Sequence, residues 1–290
     1  MKLITFLIPC YNSASYMKKA INSLLRCNAK KEIILVNDGS DDDTLKIAEA
    51  YQNKYPKIIK VIDQENKGPG GAINVGLKIA EGKYFKIVDS DDWLEEENLN
   101  NILAILKAKN IDVLFTNYVL EKNNGKEEIE YNIPTNKKIS WQEITELQKE
   151  EFILMHSMIV KTKMLKKGRF ELPENTFYVD NLFVFFVLQH MKKIIYLNIP
   201  LYHYIIGRDD QTVNKSIMSS KIDDLISVIE QMIKNCNLKN MKNENLKSYL
   251  KDYIEFIINV AIKHLEDINT QIANEKKEKL KESWNYKKKE

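Results

Sequence analysis

The amino-acid sequence predicts an α/β fold, a mostly parallel sheet flanked by helices, followed by a C-terminal helical extension. Short apolar runs alternate with amphipathic stretches from residue 3 to residue 118, as in parallel strands joined by crossover helices. Several of these runs end in polar or acidic residues, where open parallel sheets hold their ligands. From residue 216 onwards long amphipathic stretches take over. We therefore expect one domain at 1–215, with halves at 1–118 and 119–215, and an extension at 216–290.

Composition and charge describe an ordinary globular protein. With 290 residues and 44% hydrophobic content, the chain is long enough for a substantial core. Its 44 basic and 41 acidic residues leave a net charge of +3, which gives no support for a nucleic-acid partner. The cysteines, Cys10, Cys27 and Cys236, lack the spacing of a zinc site or a disulfide framework. No apolar run is long enough to cross a bilayer, and we expect a cytoplasmic protein.

The first half of the chain is predicted as a series of strands and helices. Continuous apolar runs favour buried strands, and apolar residues at helical spacing favour amphipathic helices. Strands are predicted at 3–8, 32–36, 58–62, 84–88 and 112–118. Helices are predicted between them at 15–25, 44–55, 72–80 and 95–107. The glycine-dense stretch 66–72 is predicted as a loop whose backbone N–H groups can approach an anion, or as an ordinary flexible loop.

The middle of the chain gives weaker signals. Residues 123–125 predict a hairpin turn, and 141–151 a surface helix. His156 interrupts an apolar run and is interpreted as a core or pocket-wall histidine rather than a ligand. A short basic helix is predicted at 162–167, a strongly apolar helix at 181–191, and short strands at 194–197 and 201–206.

The last 75 residues are predicted to be helical. Amphipathic patterns indicate helices at 222–233 and 246–264. The lysine-rich tail, 275–290, is predicted to be a solvated helix that frays. The alternative is a peripheral contact in which its lysines, with Trp284 and Tyr286, rest on an anionic membrane or a partner.

Three aspartates, Asp89, Asp91 and Asp92, follow the apolar run 84–88. Carboxylates this close repel one another, so their arrangement is costly unless a cation lies between them. The same residues also suit a turn or a helix cap. Polar residues at the ends of three other predicted strands, at 9–11, 38 and 66–71, can converge on the same edge of the sheet, and this convergence favours a divalent metal site.

Two features of the second half are candidates for the same site. Asp180 precedes an apolar helix, where it is either an N-cap or a functional carboxylate. The polar loop 207–212 follows an aromatic run and either closes over a ligand or forms an exposed turn.

Four ordered motifs resemble those of the family 2 glycosyltransferases with a GT-A fold. They lie at residues 8–12, 36–44, 66–77 and 88–92, and the likeness extends more thinly to Asp180 and to 202–208. The resemblance implies a Rossmann-like sheet and a nucleotide-sugar donor, usually a UDP-sugar, held on Mn²⁺ or Mg²⁺. It also implies inverting transfer to a glycan, lipid-linked or protein acceptor in cell-surface glycan synthesis, at the cytoplasmic side of a membrane.

By position, the resemblance also implies residue roles. Pro9 and Tyr11 frame the nucleotide base, and Asp38 hydrogen-bonds the base with help from Asn66. Asp89 faces the ribose or the metal, and its neighbour Ser90 belongs to the same donor site. Asp91 is the principal metal ligand of a DxD-type motif, which His203 completes. Asp180 is the candidate base that takes the proton from the acceptor hydroxyl.

Two positions depart from the family pattern. Many relatives have Glu where Val179 stands and Arg where Ile73 stands, and Arg208 is the candidate that replaces the missing positive charge at the diphosphate. These departures leave open a non-catalytic nucleotide-sugar-binding or scaffold protein of the same fold. A nucleotidyltransferase is the other alternative, although residues 9–12 lack the basic glycine-rich loop which that class usually has.

Overall fold

The structure, a computed structural model, describes residues 1–145, 147, 152–208 and 215–289. A mixed ten-stranded sheet forms its centre, in the strand order β3-β2-β1-β4-β9-β6-β10-β5, with β7 beside β6 and β8 beside β10. The strands are β1 Ile4–Cys10, β2 Lys31–Asp38, β3 Ile59–Gln64, β4 Tyr84–Ile87, β5 Trp93–Leu94, β6 Val113–Lys122, β7 Gly125–Ile129, β8 Lys138–Ile139, β9 Met158–Lys161 and β10 Ile194–Ile205.

Helices cover the sheet and follow it at the carboxyl end of the chain. They are α1 Met17–Leu25, α2 Thr44–Lys54, α3 Gly68–Ile79, α4 Glu96–Ala108, α5 Thr162–Lys167, α6 Val179–His190, α7 Lys215–Ser220, α8 Ile222–Asn235, α9 Glu244–Ile268 and α10 Gln271–Lys288. Short 3₁₀ helices lie at Trp141–Glu143, Met155–Ser157 and Leu238–Asn240. The predicted α/β class with a helical carboxyl end is confirmed.

The first four strands in space are parallel, as predicted. β1 pairs in parallel with both β2 and β4, and β2 pairs in parallel with β3. Both β1 and β2 are buried along nearly their whole length, because helices cover both faces of the sheet. Their carboxyl ends therefore lie side by side at one edge, and the loops that follow them share that edge.

The second half of the sheet is more mixed than predicted. β9 lies between β4 and β6 and is antiparallel to both. β10 is one twelve-residue strand instead of two short ones, with an irregular register near Pro200. Proline has no N–H to donate, so the ladder is interrupted there without ending the strand.

Most of the glycine-rich stretch predicted as a loop at 66–72 is helical, because α3 already begins at Gly68, and only residues 66 and 67 lie before the helix. A Cβ on Gly70 would lie 2.1 Å from the carbonyl oxygen of Pro173, and one on Gly68 would lie 3.2 Å from Asn175. The N–H of Asn175 also donates to the carbonyl of Lys67 at 2.7 Å. The glycines therefore allow the segment before α6 to pack directly against the start of α3.

The carboxyl-terminal tail differs most from its prediction. α10 packs against α8 and α9 with Ala273, Leu280 and Trp284 buried, so it is not a fraying solvated helix. Several of its lysines form ion pairs with acids on those helices: Lys276 with Asp223, Lys279 with Glu230 and Lys288 with Glu255. Intramolecular partners thus account for these charges.

The surface helix predicted at 141–151 is a single 3₁₀ turn with Trp141 buried, and residues 146 and 148–151 lie outside the described residues. Of the polar loop predicted at 207–212, the structure describes residues 207 and 208. In the described part of the chain, no helix combines the length and apolar character needed to span a membrane.

Candidate active site

The loop after β1 is tied to the loop after β2. The N–H of Asn12 donates to Oγ of Ser40 at 3.0 Å, and Oδ1 of Asn12 accepts from the N–H of Asp41 at 2.9 Å. Asn12 has a φ of +47°, a left-handed conformation that asparagine tolerates. Pro9 lies near the end of β1, and Tyr11 follows it with half of its surface exposed. Pro9 and Tyr11 are thus beside the carboxyl end of β2.

Asp38, the last residue of β2, is buried at this edge. Its Oδ1 accepts hydrogen bonds from the N–H of Lys67 at 2.9 Å and from Nε2 of Gln64 at 2.6 Å. Asn66 lies next to it, and Oδ1 of Asn66 accepts from the N–H of Gly68 at 3.1 Å. Within the described residues Oδ2 of Asp38 has no hydrogen-bond partner, so one oxygen of this carboxylate remains for a ligand.

Asp92 attaches the acidic motif, residues 89–92, to strand β10. It is fully buried, with Oδ2 accepting from the hydroxyl of Tyr202 at 2.7 Å and Oδ1 accepting from the N–H of Ile205 at 2.9 Å. Burial, together with Asp89 and Asp91, raises the pKa of Asp92. Both oxygens are used inside the protein, so Asp92 holds the motif against β10.

Asp89 and Ser90 face the other loops. The N–H of Asp89 donates to the hydroxyl of Tyr202 at 3.0 Å, and Oδ2 of Asp89 lies 3.0 Å from Nε2 of His156. Ser90 Oγ lies 2.8 Å from Oγ of Ser13, which follows β1. These contacts join the acidic motif to the first loop and to the residues before β9.

Asp91 forms an ion pair with Arg208. Nη1 of Arg208 lies 3.0 Å from Oδ2 of Asp91, and the same guanidinium stacks over the ring of Tyr16 with its carbon 4.4 Å from the ring centroid. Arg208 follows β10, so the structure brings the end of the aromatic strand to the acidic motif. A positive charge therefore lies against the predicted principal metal ligand.

Asp180 lies at the start of α6, close to Asp89 and His156. Protein atoms surround its carboxylate closely, and this desolvation raises the pKa of Asp180; His156 lowers it and Asp89 raises it. Nδ2 of Asn181 donates to Oδ1 of Asp180 at 3.3 Å, and the hydroxyl of Tyr253 on α9 donates to Oδ1 of Asn181 at 3.0 Å. A carboxylate with a raised pKa is a stronger base once deprotonated.

His203 is the one predicted site residue that the structure places elsewhere. Its Nδ1 lies 2.8 Å from Glu121, its Nε2 lies 3.6 Å from Glu95, and its ring stacks on Trp93 at 4.8 Å. Tyr202 and Tyr204 contact His156, and side chains alternate along a strand, so His203 points to the opposite side of β10. The structure brings His203 to none of the aspartates of the acidic motif.

From the sequence, His156 was interpreted as a core or pocket-wall histidine without a role in the site, and Lys86 was not singled out. His156 lies beside Asp89, and Lys86 is a fully buried lysine on β4 that donates to the carbonyls of His156 at 2.7 Å and Met158 at 3.2 Å. Burial lowers the pKa of Lys86 to about 7. In the sequence, each of these two residues is a single titratable residue inside an apolar run, and that exception to the pattern was the signal that could have marked them. Neither partner could be named, because they lie about 70 residues away along the chain.

The aspartates fit a divalent cation. Asp89, Asp92 and His156 each place one ligand atom within 4.8 Å of the others. Because Asp92 already uses both oxygens, we regard Asp89 and Asp91 as the better ligands. Oδ1 of Asp89 has no protein partner among the described residues, and Oδ2 of Asp91 lies against the positive charge of Arg208. Carboxylate oxygens suit Mg²⁺ and Mn²⁺.

Comparison with solved structures assigns the fold class. The structure of Staphylococcus aureus TarS 1–349 in complex with UDP-GlcNAc matches 91% of this chain and 81% of its own, with a TM-score of 0.67 at 22% identity. The mannosyltransferase PcManGT from Pyrobaculum calidifontis, in complex with GDP-Man and Mn²⁺, matches 94% of this chain and 77% of its own, with a TM-score of 0.59 at 13% identity. The fold is therefore of the GT-A type.

Sequence comparison gives the family. Residues 5–171, more than half of the chain, match the family described as "Glycosyl transferase family 2". The chain belongs to the family 2 glycosyltransferases. It is 28% identical over 264 residues to the poly(ribitol-phosphate) beta-N-acetylglucosaminyltransferase TarS of Staphylococcus aureus, a match that covers 88% of this chain and 45% of TarS. The chain thus spans less than half the length of that relative.

Proposed function

We propose that this chain transfers a sugar, with inversion, from a UDP-sugar to an acceptor hydroxyl in cell-surface glycan synthesis, and that it depends on Mn²⁺ or Mg²⁺. One observation carries the proposal: Asp38, Asp89, Asp91 and Asp180 come from three separate stretches of chain, after β2, after β4 and at the start of α6, and lie around one edge of the sheet. The TarS structure with UDP-GlcNAc and the PcManGT structure with GDP-Man and Mn²⁺ support the ligand classes.

The donor half of the site is assigned to the loops after β1 to β4. Tyr11 and Pro9 border the place for the nucleotide base, and Oδ2 of Asp38 is available to accept a hydrogen bond from it. Asn66 and Ser90 lie on either side of this region. When bound, a divalent cation on Asp89 and Asp91 stabilises the negative charge of the leaving diphosphate.

Arg208 is assigned to the diphosphate. The chain has Ile73 where many relatives have arginine, and Arg208 brings a guanidinium to the acidic motif from a different strand. A planar guanidinium can bind two phosphate oxygens at once, so it suits this role. We do not assign His203 to the metal, because its ring nitrogens face Glu121 and Glu95.

Asp180 is assigned as the general base. It deprotonates the acceptor hydroxyl as the sugar centre becomes oxocarbenium-like, and its raised pKa strengthens it as a base. Asn181 orients the carboxylate through the 3.3 Å hydrogen bond. Val179, which stands where many relatives have glutamate, is buried and does not contribute a second carboxylate.

The test is a panel of UDP-, GDP- and dTDP-sugars with and without Mn²⁺. We expect a UDP-sugar to raise the melting temperature only with the metal present, and the enzyme to release UDP. Asp91→Ala should abolish the metal-dependent stabilisation, whereas Asp180→Asn should keep it and lose transfer. Asp43→Asn, at an exposed aspartate after β2, is the control.

The alternatives predict different results from the same panel. A binding or scaffold protein gives metal-dependent stabilisation without UDP release for any donor. A nucleotidyltransferase releases pyrophosphate from a nucleoside triphosphate and a sugar phosphate. Either result would replace the proposal.

A further inference from the structure

We infer that His156 is a positioning residue that fixes the Asp89 carboxylate in the orientation required for donor binding. This inference rests on the proposed function, because it gives Asp89 a place in the donor and metal site. It concerns a residue outside the four motifs that carry the family resemblance.

Asp89 is held at two points and open at a third. Its N–H donates to the Tyr202 hydroxyl at 3.0 Å, which fixes the backbone. Its Oδ2 lies 3.0 Å from Nε2 of His156 and 3.5 Å from the Tyr202 hydroxyl, and the shorter contact with His156 fixes the rotation of the carboxylate. Oδ1 has no protein partner within the described ranges, and the side chain is 36% exposed. A carboxylate that is already oriented before the ligand binds loses less conformational entropy on binding.

His156 is itself immobilised. Its ring lies 4.7 Å from the ring of Tyr202 and 4.3 Å from that of Tyr204, and the residue is 7% exposed. Its carbonyl accepts from Nζ of Lys86 at 2.7 Å. A buried lysine is costly, and this one is held by two carbonyls and by the face of Tyr202, 5.0 Å from Nζ. The imidazole therefore has one orientation.

Packing alone does not explain an imidazole at this position. Nδ1 of His156 is buried and has no hydrogen-bond partner. An unpaired buried polar atom is destabilising, and a phenyl ring would fill the space between Tyr202 and Tyr204 without that cost. The free energy lost at Nδ1 is therefore offset by the Nε2 contact with Asp89.

Two variants separate the hydrogen bond from the packing. His156→Phe keeps an aromatic ring but removes the hydrogen bond, whereas His156→Gln keeps an N–H donor but removes the ring. His190→Phe is the control, because His190 is exposed near the end of α6 and its ring stacks on Phe186. The probe is UDP with Mn²⁺, measured by titration calorimetry, and the melting temperature of each variant is recorded in parallel.

We expect His156→Phe to weaken UDP binding by about tenfold to a hundredfold, the range for a hydrogen bond to a charged group. His156→Gln should stay within about threefold of the wild type, even if it melts earlier through lost packing. Should His156→Phe fail to fold, His156→Asn replaces it, since its shorter side chain keeps the amide away from Asp89. In an Asp89→Asn background the His156→Phe effect should largely disappear.

Two results would overturn the inference. One is unchanged UDP affinity in His156→Phe together with weakened affinity in His156→Gln, which assigns His156 to packing. The other is full additivity of the His156 and Asp89 substitutions, which shows that His156 does not act through Asp89. If the wild type binds none of UDP, GDP and dTDP with Mn²⁺, the proposed function itself fails, and this result is distinct from the other two.

Discussion

Nη1 of Arg208 lies 3.0 Å from Oδ2 of Asp91, where the proposed function requires a divalent cation. Arg208 thus neutralises Asp91 in this structure, and the same guanidinium is proposed to bind the donor diphosphate. Because a cation that binds Asp91 competes with this ion pair, Arg208 should weaken metal binding when no donor is present and strengthen donor binding when metal is present.

Arg208→Ala should therefore have opposite effects on the two ligands. We expect Mn²⁺ alone to bind several-fold more tightly, because its competitor at Asp91 is gone, and UDP with Mn²⁺ to bind more weakly. Free Mn²⁺ can be followed by electron paramagnetic resonance. Arg26→Ala is the matched control, since Arg26 forms an exposed ion pair with Glu96 at 3.6 Å. Unchanged Mn²⁺ affinity in Arg208→Ala would contradict the competition.

Asp180 should destabilise the protein at neutral pH. Its folded-state pKa is raised above the unfolded value, so folding disfavours the charged form. The cost is fully present above the folded-state pKa and is relieved as the pH falls through it towards the unfolded value of about 3.9. Asp180→Asn removes the charge, so the variant should melt higher than the wild type at pH 8, with a difference that shrinks as the pH is lowered.

The same substitution should also remove transfer, with a loss in kcat of about 10²- to 10⁴-fold. In the wild type, kcat should decline as the pH falls through the raised pKa of Asp180, because the base becomes protonated. A kcat that is unaffected in Asp180→Asn would remove Asp180 from the role of base, and a melting difference that grows towards low pH would contradict its raised pKa.

The hydroxyl of Tyr253 links α9 to the base through Asn181. Tyr253→Phe removes the donor to Oδ1 of Asn181, so the amide that holds Asp180 keeps only the hydrogen bond from its Nδ2 to the carbonyl of Tyr178 as a further restraint. One neutral hydrogen bond is worth about 0.5–1.5 kcal/mol, so we expect kcat to fall about two- to tenfold with donor KM unchanged. Tyr249→Phe is the control on the same helix, because its hydroxyl accepts from the N–H of Ile153. Equal effects of the two substitutions on kcat would mean that the helix acts only as a packing surface.

Local pattern was sufficient to predict the first half of the fold. The strands β1 and β2 are continuous apolar runs because both faces are buried, and the residues that end them mark the edge where Asp38 lies. The place of β9 between β4 and β6 depends on contacts between distant residues, as does the pairing of His156 with Asp89. No local pattern encodes such pairings, so β9 was not predicted and His156 was interpreted only as a core or pocket-wall histidine, without a partner.

The side-chain direction of His203 could not be predicted from local sequence pattern either. Its place on the aromatic strand was predicted, but the direction of its side chain depends on the strand's register. Tyr202 and Tyr204 face His156, and His203 therefore faces Glu121. A change of one position in a strand moves a side chain to the other face of the sheet. A match between this sequence and the family's motifs does not show on which face of the sheet the His203 side chain lies.

The tail should contribute to stability through its buried side chains more than through its ion pairs. Trp284 is 4% exposed against α9, whereas the pair of Lys279 with Glu230 lies on the surface. Trp284→Ala should lower the free energy of unfolding by about 3–5 kcal/mol, the usual cost of removing a buried aromatic ring. Lys279→Ala should cost less than about 1 kcal/mol.

Urea unfolding followed by circular dichroism measures both changes, and Tyr286→Ala is the control, because Tyr286 is 73% exposed on the same helix. If α8 to α10 unfold separately from the sheet, the loss appears in the first of two transitions, and the second stays in place. A tail that only frays in solvent predicts equal and small effects of Trp284→Ala and Tyr286→Ala. That outcome would mean that α10 does not pack on α8 and α9 in solution.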